Sequence, residues 1–377
     1  MKFKSLLTVA FAAVSMLASA QSKTVNVETA GTLSTLIAGD DLNVKELTLT
    51  GNINKLDLSF IRKSMKVEVL DLKDVNIAAC SETVEDVTTE YPANEFPSKV
   101  FQKDEHSEDN ITFTKVVFPA SITSIGARAF ESTGGSVLET IDLSNCKSLK
   151  IIKEYAFSFC AKINDIDLSD LTELETIETR AFDQTNASGI KLTNCSKLAT
   201  LGVNAFQQNY FVRSIDFSGC TSLKLIPNRA FLNLAKTSGG EEGFTLVVDL
   251  TGCSALETID ESGFQSSKAT EYIFPQSIKT ITAKAFNLCT KVQKTTFMGD
   301  APTVGSSNAI LSKPCYVPAG KKEAFEAAGF TNVIESEPAG IRENVAAMKA
   351  NNKSYSIDGK LYSGKGIRVV AGKKYTK

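Results

Sequence analysis

A six-residue phrase, apolar-x-x-x-Ala/Gly-Phe, occurs seven times in this chain and limits its fold more than any other feature. The copies begin at Ile125, Ile152, Ile177, Leu201, Ile226, Ile259 and Ile281. They end at Phe130, Phe157, Phe182, Phe206, Phe231, Phe264 and Phe286, at intervals of 27, 25, 24, 25, 33 and 22 residues. A unit of this length cannot bury its apolar edge alone. It must stack on copies of itself, and a Leu- and Ile-rich period of roughly 20–29 residues predicts a solenoid of the leucine-rich-repeat type.

A second phrase precedes the first in most coils. It reads Ile141-Asp142-Leu143-Ser144 and recurs from Ile166, Ile190, Ile215 and Val248. Apolar and polar residues alternate, which describes a half-buried strand. Repeated once per coil, it gives a parallel sheet with neighbours about 4.8 Å apart. The expected fold class is therefore an α/β solenoid, with that sheet on the concave face and short helical or irregular segments on the convex face. Proline variants at Pro119 and Pro275 should mark strand ends, because proline cannot donate to a ladder.

Upstream, Leu47–Asn52, Leu56–Ser59 and Leu70–Leu72 read as shorter, irregular strands of a cap. The acidic segment between Cys80 and Glu95 reads as an exposed loop, and Thr237–Gly243 as an inserted one. Lys321–Ala328 reads as a short helix closed by Gly329. In the tail, Ile357–Leu361 and Gly366–Val370 read as strands flanking a turn at Ser363-Gly364-Lys365. These readings divide the chain into a leader (1–20), an N-terminal cap (21–110), a solenoid (111–335) and a small β-like tail (336–377).

Met1-Lys2-Phe3-Lys4, an apolar run from Leu6 to Leu17 and Ala18-Ser19-Ala20 describe a secretory signal peptide, so the mature chain is expected to be exported. No cysteine follows the cleavage point, which argues against a lipid anchor there. No later segment reaches the roughly 20 apolar residues of a spanning helix. With 41 basic and 43 acidic residues the formal net charge is −2, and nothing favours nucleic-acid binding.

With both phrases in hand, the chain resembles the BspA-like leucine-rich-repeat proteins of anaerobic Gram-negative bacteria. Cys220-Thr221-Ser222-Leu223-Lys224-Leu225-Ile226-Pro227-Asn228-Arg229-Ala230-Phe231 follows that family's pattern almost throughout. Ala156-Phe157-Ser158-Phe159-Cys160 and Ala285-Phe286-Asn287-Leu288-Cys289 carry its final cysteine. The resemblance spans about Thr48 to Ile334 and includes Tyr316-Val317-Pro318-Ala319-Gly320. It implies a cell-surface, outer-membrane-associated or secreted adhesin that binds host matrix proteins or other bacteria, with a protein or glycan ligand and no cofactor. The tail is similar to C-terminal modules that direct export to the surface, although Tyr362-Ser363-Gly364 departs from their Gly-Arg pattern. An envelope-assembly role and a carbohydrate-binding or carbohydrate-active role are the alternatives.

Cys146, Cys195, Cys220 and Cys253 occupy one slot in different coils, where the coil beginning at Ile166 has Leu171. Stacked in parallel register, such side chains stay about 4.8 Å apart, beyond the roughly 3.8 Å Cβ separation of a disulfide, so buried free thiols are expected. Zinc has no Cys-x-x-Cys pair to hold it. The middle strand residues stack as Asp71, Val117, Asp142, Asp167, Lys191, Asp216, Asp249 and Phe274. This acidic row reads either as a partner-binding face or as a solvated face that resists edge association. Calcium usually takes six to eight oxygen ligands, more than one row supplies. The single histidine, His106, lies in a charged loop, and no nucleophile or phosphate-binding motif is present, so no enzyme is expected. Paired carboxylates for glycoside cleavage stay open, because their separations are not legible in sequence.

Overall fold

A computed structural model describes residues 22–103, 111–133 and 135–336, together with the backbone of Ile367–Val370 and Lys373–Thr376. The backbone winds in coils that pair only in parallel. One ladder runs through Ser22–Val27, Glu46–Ile53, Val69–Ile77, Lys115–Val117 and Thr140–Asp142. It resumes through Asp165–Asp167, Gly189–Lys191 and Ser214–Asp216. It resumes again from Val247–Asp249 through Glu271–Phe274, Lys294–Phe297 and Cys315–Pro318 to Val333–Ser336. A second parallel ladder consists of two-residue strands, each ending at the first residue of an Ala-Phe phrase. Ile125, Ile152, Ile177 and Leu201 are in register in it, as are Ile226, Ile259 and Ile281. Helices are few: Leu33–Leu36, Lys55–Ser64 and Lys322–Ala327 lie outside the central coils.

The Ala-Phe phrase is a turn whose hydrogen bonds leave the coil. The N–H of Phe130, Phe157, Phe182, Phe206, Phe231 and Phe264 each donates to the next coil's Ala or Gly carbonyl at 2.8–2.9 Å. The residue two before each Phe is left-handed, with φ between 54° and 62° from Arg128 to Lys284. Such a backbone costs roughly 1–2 kcal/mol for a side chain other than glycine, and the inter-coil bonds offset it. The phenylalanines form one column from Phe96 to Phe286, with ring centroids 5.1–5.5 Å apart and planes within 18°. At Gly263, in the position before the Phe, a Cβ would lie 3.1 Å from Ile259 Cγ2 and the Asp260 carbonyl, so a side chain there would be tight.

The structure extends the repeat at both ends. Phe96-Pro97-Ser98-Lys99-Val100-Phe101 adopts the same turn, with Lys99 left-handed and the Phe101 N–H donating to the Ala129 carbonyl. Val100 in the small-residue position hid this copy. Val304-Gly305-Ser306-Ser307-Asn308-Ala309 closes the other end. There the Asn308 side chain accepts the Phe286 N–H at 2.8 Å and donates to the Thr282 and Gly305 carbonyls. An amide side chain of the next coil thus takes the place of the backbone carbonyl that accepts this N–H elsewhere.

Three sequence readings are corrected. Leu56–Ser59 is not a strand but part of the helix Lys55–Ser64. Asn54 accepts the Leu56 N–H, and Asp57 accepts the N–H groups of Asn54, Gly31 and Leu33, so a capping box prevails over the apolar alternation. The acidic segment after Cys80 is an antiparallel hairpin, Cys80–Val84 with Val87–Tyr91, turned at the left-handed pair Glu85-Asp86. Its alternating Val and Thr residues favour strands over loop. Within the insertion, Ser238–Gly240 is a short 3-10 turn whose Ser238 and Gly239 are buried. In the tail, Ile367–Val370 pairs with Lys373–Thr376, which was not foreseen, while Ile357–Leu361 lies outside the described residues.

All eight cysteines are free, and all but Cys80 are buried. The shared slot does more than fill space. Cys146, Cys195 and Cys220 donate their S–H to the carbonyls of Pro119, Leu168 and Leu192 in the preceding coil, at 3.1–3.3 Å. Burial pushes the Cys146 and Cys195 thiols up to about 12, so they stay protonated and able to donate.

Removing one ring from the column leaves a cavity that neighbouring coils cannot close. Phe206→Ala is expected to lower stability by about 3–5 kcal/mol in urea denaturation followed by far-UV circular dichroism. Phe211→Ala, outside the column, is expected to change it by about 0.5 kcal/mol.

Candidate functional site

Parallel register turns the middle strand residues into a row. Asp71 pairs with Val117 and Val117 with Asp142; in the next ladder segment Asp167 pairs with Lys191, and Lys191 with Asp216. Beyond Asp249 the expected order is corrected. Asp249 pairs with Ile273, which is followed by Thr296 and Tyr316. Phe274 falls one place later, level with Leu250, and its side chain is fully buried.

The aspartates recur for a local reason that the repeat pattern alone did not disclose. Each accepts the N–H of the residue two ahead. Asp71 takes Lys73, Asp142 takes Ser144, Asp167 takes Ser169, Asp216 takes Ser218 and Asp249 takes Thr251, all at 2.8–3.1 Å. Ser144 and Thr251 add their hydroxyls at 2.6 Å. The Asx turns at Asp142, Asp167, Asp216 and Asp249 end their strands, the one at Asp71 lies within Val69–Ile77, and all use the Oδ1 atom of the carboxylate. The signal was present in sequence as Asp-x-Ser/Thr. Lys191 stands in a coil with a different solution, where Thr193 donates to Asp216 of the next coil at 3.0 Å.

Charge also marks where the ladder is interrupted. Its two gaps fall between Asp142 and Asp167 and between Asp216 and Asp249, the successive coils that bring two aspartates together. Like charges side by side destabilise strand pairing. Where Val117 or Lys191 intervenes, pairing is continuous. Lys191 Nζ lies 2.9 Å from Asp167 Oδ2. Burial alone would raise the Asp167 carboxyl, but hydrogen bonds from Ser169 and Lys191 outweigh it and hold the group below its ordinary value. The same pair raises Lys191. Both side chains are nearly half exposed, so the bridge contributes little, about 0–1 kcal/mol.

Beside this face lies a cleft of about 600 Å³ that sequence reasoning missed. Hydrogen bonds from Asn164 N–H to Glu139, from Ser188 to Asn164 and from Arg213 to Ser188 carry the coils across it. Its signal was a length difference. Eight residues separate Phe182 from Ile190, against nine from Phe157 to Ile166 and from Phe206 to Ile215. The short coil presents Asn186-Ala187-Ser188-Gly189 between Lys162 and the exposed Phe211.

One buried carboxylate needs explanation, because such groups often mark active sites. Asp183 follows Phe182 and is fully buried. Gln207 donates to its Oδ2 at 3.0 Å, Arg180 lies 4.0 Å from the same oxygen, and Oδ1 has no partner among the described residues. Burial raises it to about 6, against the opposing pull of Gln207 and Arg180. It is buried in the coil turn and does not line the cleft. Among the described residues no three His, Cys, Asp or Glu side chains form a metal-binding group. His106 lies outside the described residues.

The family model for the BspA type leucine rich repeat region matches residues 108–238 and 243–310, in six copies. The chain belongs to that family. Comparison with curated proteins gives no match. Among solved structures, a leucine-rich repeat protein from Bacteroides ovatus is 16% identical, with 72% of this chain and 92% of that one covered and a TM-score of 0.30. A leucine rich cell surface protein from Faecalibacterium prausnitzii is 13% identical, with 74% and 90% covered and a TM-score of 0.22. The pneumococcal vaccine antigen PcpA is 16% identical, with 72% and 89% covered and a TM-score of 0.24. No ligand is carried over from them. In this BspA-type chain no helix among the described residues is long and apolar enough to cross a membrane.

Asp183 gives a pH test of the buried turn. Its folded pKa lies above the ordinary 3.8, so the folded state holds the proton more tightly. Its contribution is most favourable below pH 3.8, declines as pH rises to about 6, and is constant and unfavourable above that. Asp183→Asn should therefore raise stability on the order of 2 kcal/mol at pH 7, with the gain vanishing near the ordinary carboxylate pKa. Paired urea titrations across that range measure it.

Proposed function

We propose that this BspA-type protein is an exported, non-enzymatic recognition protein, an adhesin that binds a protein partner on host matrix or on other bacteria through its strand face. The observation that carries the reading is the row itself. Asp71, Asp142, Asp167, Asp216 and Asp249 stand with a single Lys191 on a rigid parallel scaffold. A partner with a basic surface complements that charge, and a row of one sign raises the rate of encounter more than the lifetime of the complex. The leader-like N-terminus supports export, and the repeat family supports a surface protein. A solenoid is a general binding scaffold, so the partner class rests on the row and not on the fold.

The Asx turns dictate how the row is tested. Alanine would remove the turn along with the charge, whereas asparagine keeps the Oδ1 acceptor and removes only the charge. The triple variant Asp142→Asn, Asp167→Asn, Asp216→Asn should bind matrix proteins or whole bacteria about tenfold more weakly than the parent, mainly through a slower on-rate, and lose most of the parent's salt dependence. Surface plasmon resonance at low and physiological salt reads both. Equal affinity and equal salt dependence would remove the row from the account.

A further inference from the structure

The cleft beside the strand face carries chemistry that the acidic row does not use. We propose that it binds one pyranose ring of a neutral glycan, with Phe211 as the platform for the sugar's apolar face and Asn164, Asn186 and Ser188 on its hydroxyls.

The first support is the ring. Phe211 is 41% exposed, and no other phenylalanine is exposed among the described residues. The phenylalanines of the column are buried, so an exposed one departs from the rule that places this residue type in the interior. It is not on a loose segment. Val212 behind it is buried, and the Arg213 N–H donates to the Ser188 carbonyl at 2.7 Å, which ties the turn to the floor of the cleft.

The second support is the polar lining. Glu139, Lys162, Asn164 and Asn186 form no side-chain hydrogen bond or ion pair among the described residues. Elsewhere on this surface lysines are commonly paired with carboxylates of the adjacent coil, as Lys191 is with Asp167, Lys197 with Glu173 and Lys279 with Glu257. Two carboxamides supply both donors and acceptors, and the Ser188 hydroxyl, which donates to Asp165 at 2.8 Å, keeps its lone pairs for a ligand donor. Mixed donors and acceptors beside one apolar surface suit a polyol ring, which offers hydroxyls at its rim and C–H groups on its face.

The third support is charge. Lys162 and Glu139 balance, and Asp165 adjoins through Ser188. An acidic ligand would meet two carboxylates against one ammonium, so the cleft favours an uncharged sugar. The short coil that opens the cleft lies between two longer ones, and the cleft is broad and open toward solvent. One ring of a longer chain can enter it while the rest extends outward.

The site lies off the acidic row, so it and the proposed protein-binding face can fail separately. The test is saturation-transfer NMR and isothermal titration of the full-length mature protein. The neutral probes are glucose, galactose, mannose, N-acetylglucosamine and their linear oligomers, and the acidic ones are sialylated and sulfated oligosaccharides. At least one neutral probe should bind. Phe211→Ala should weaken it about tenfold or more, Phe211→Tyr should retain it, and the row variant Asp142→Asn, Asp167→Asn should leave it unchanged. Melting curves of the variants confirm folding, which an exposed side chain does not control. The proposal is overturned if no neutral probe binds at millimolar concentration, if only acidic probes bind, or if Phe211→Ala binds as well as the parent.

Discussion

Every coil depends on the hydrogen bond it makes to the next one at the Ala-Phe turn. Within a coil the left-handed residue before each Ala is unfavourable, the Phe ring has no pocket, and the turn N–H has no acceptor. Stacking answers all three together, because the neighbour supplies a carbonyl at 2.8–2.9 Å and a ring about 5 Å away. The thiols extend the same logic, since Cys195 and Cys220 donate to carbonyls one coil back. At the C-terminal end of the repeat a single side chain, Asn308, accepts the last turn N–H, that of Phe286.

This dependence separates two kinds of position. Interior positions repeat because each copy must meet its own image: Phe over Phe, Ile over Ile. Exterior positions of the strand face are under a weaker rule, the Asx turn, which asks only for an acceptor at the strand end. Lys191 shows that the turn can be replaced when a neighbouring coil compensates, here through the bond from Thr193 to Asp216. Charge on that face is therefore available for recognition, with the limit that two aspartates in succession coincide with each interruption of pairing.

The regular part of the molecule was legible in sequence because periodicity is a property of the repeat and survives in each copy. The Phe column, the strand register as far as Asp249 and the buried cysteine slot all follow from it. Where a single local interaction prevailed, the reading went astray. Asn54 and Asp57 made a helix of an alternating segment, and in the proline variants the row residue stands two before the proline, Ile273 before Pro275 as Val117 before Pro119, so Phe274 lies outside the row. Val100 hid one copy by filling a position that is otherwise Ala or Gly. The cleft was missed for the opposite reason: it arises from a residue that is absent, a one-residue shortening between Phe182 and Ile190, and a search for motifs does not register a deletion.

If stacking is the source of order, protection must follow position in the stack and not the strength of any local element. Amide hydrogen exchange resolved by coil tests this most directly. The turn amides of Phe157, Phe182, Phe206 and Phe231 should be among the slowest in the protein. Protection should fall toward both ends, and the hairpin Cys80–Tyr91 should exchange fastest among the paired strands. Rapid exchange at the central Phe amides, comparable to that of the hairpin, would contradict the account.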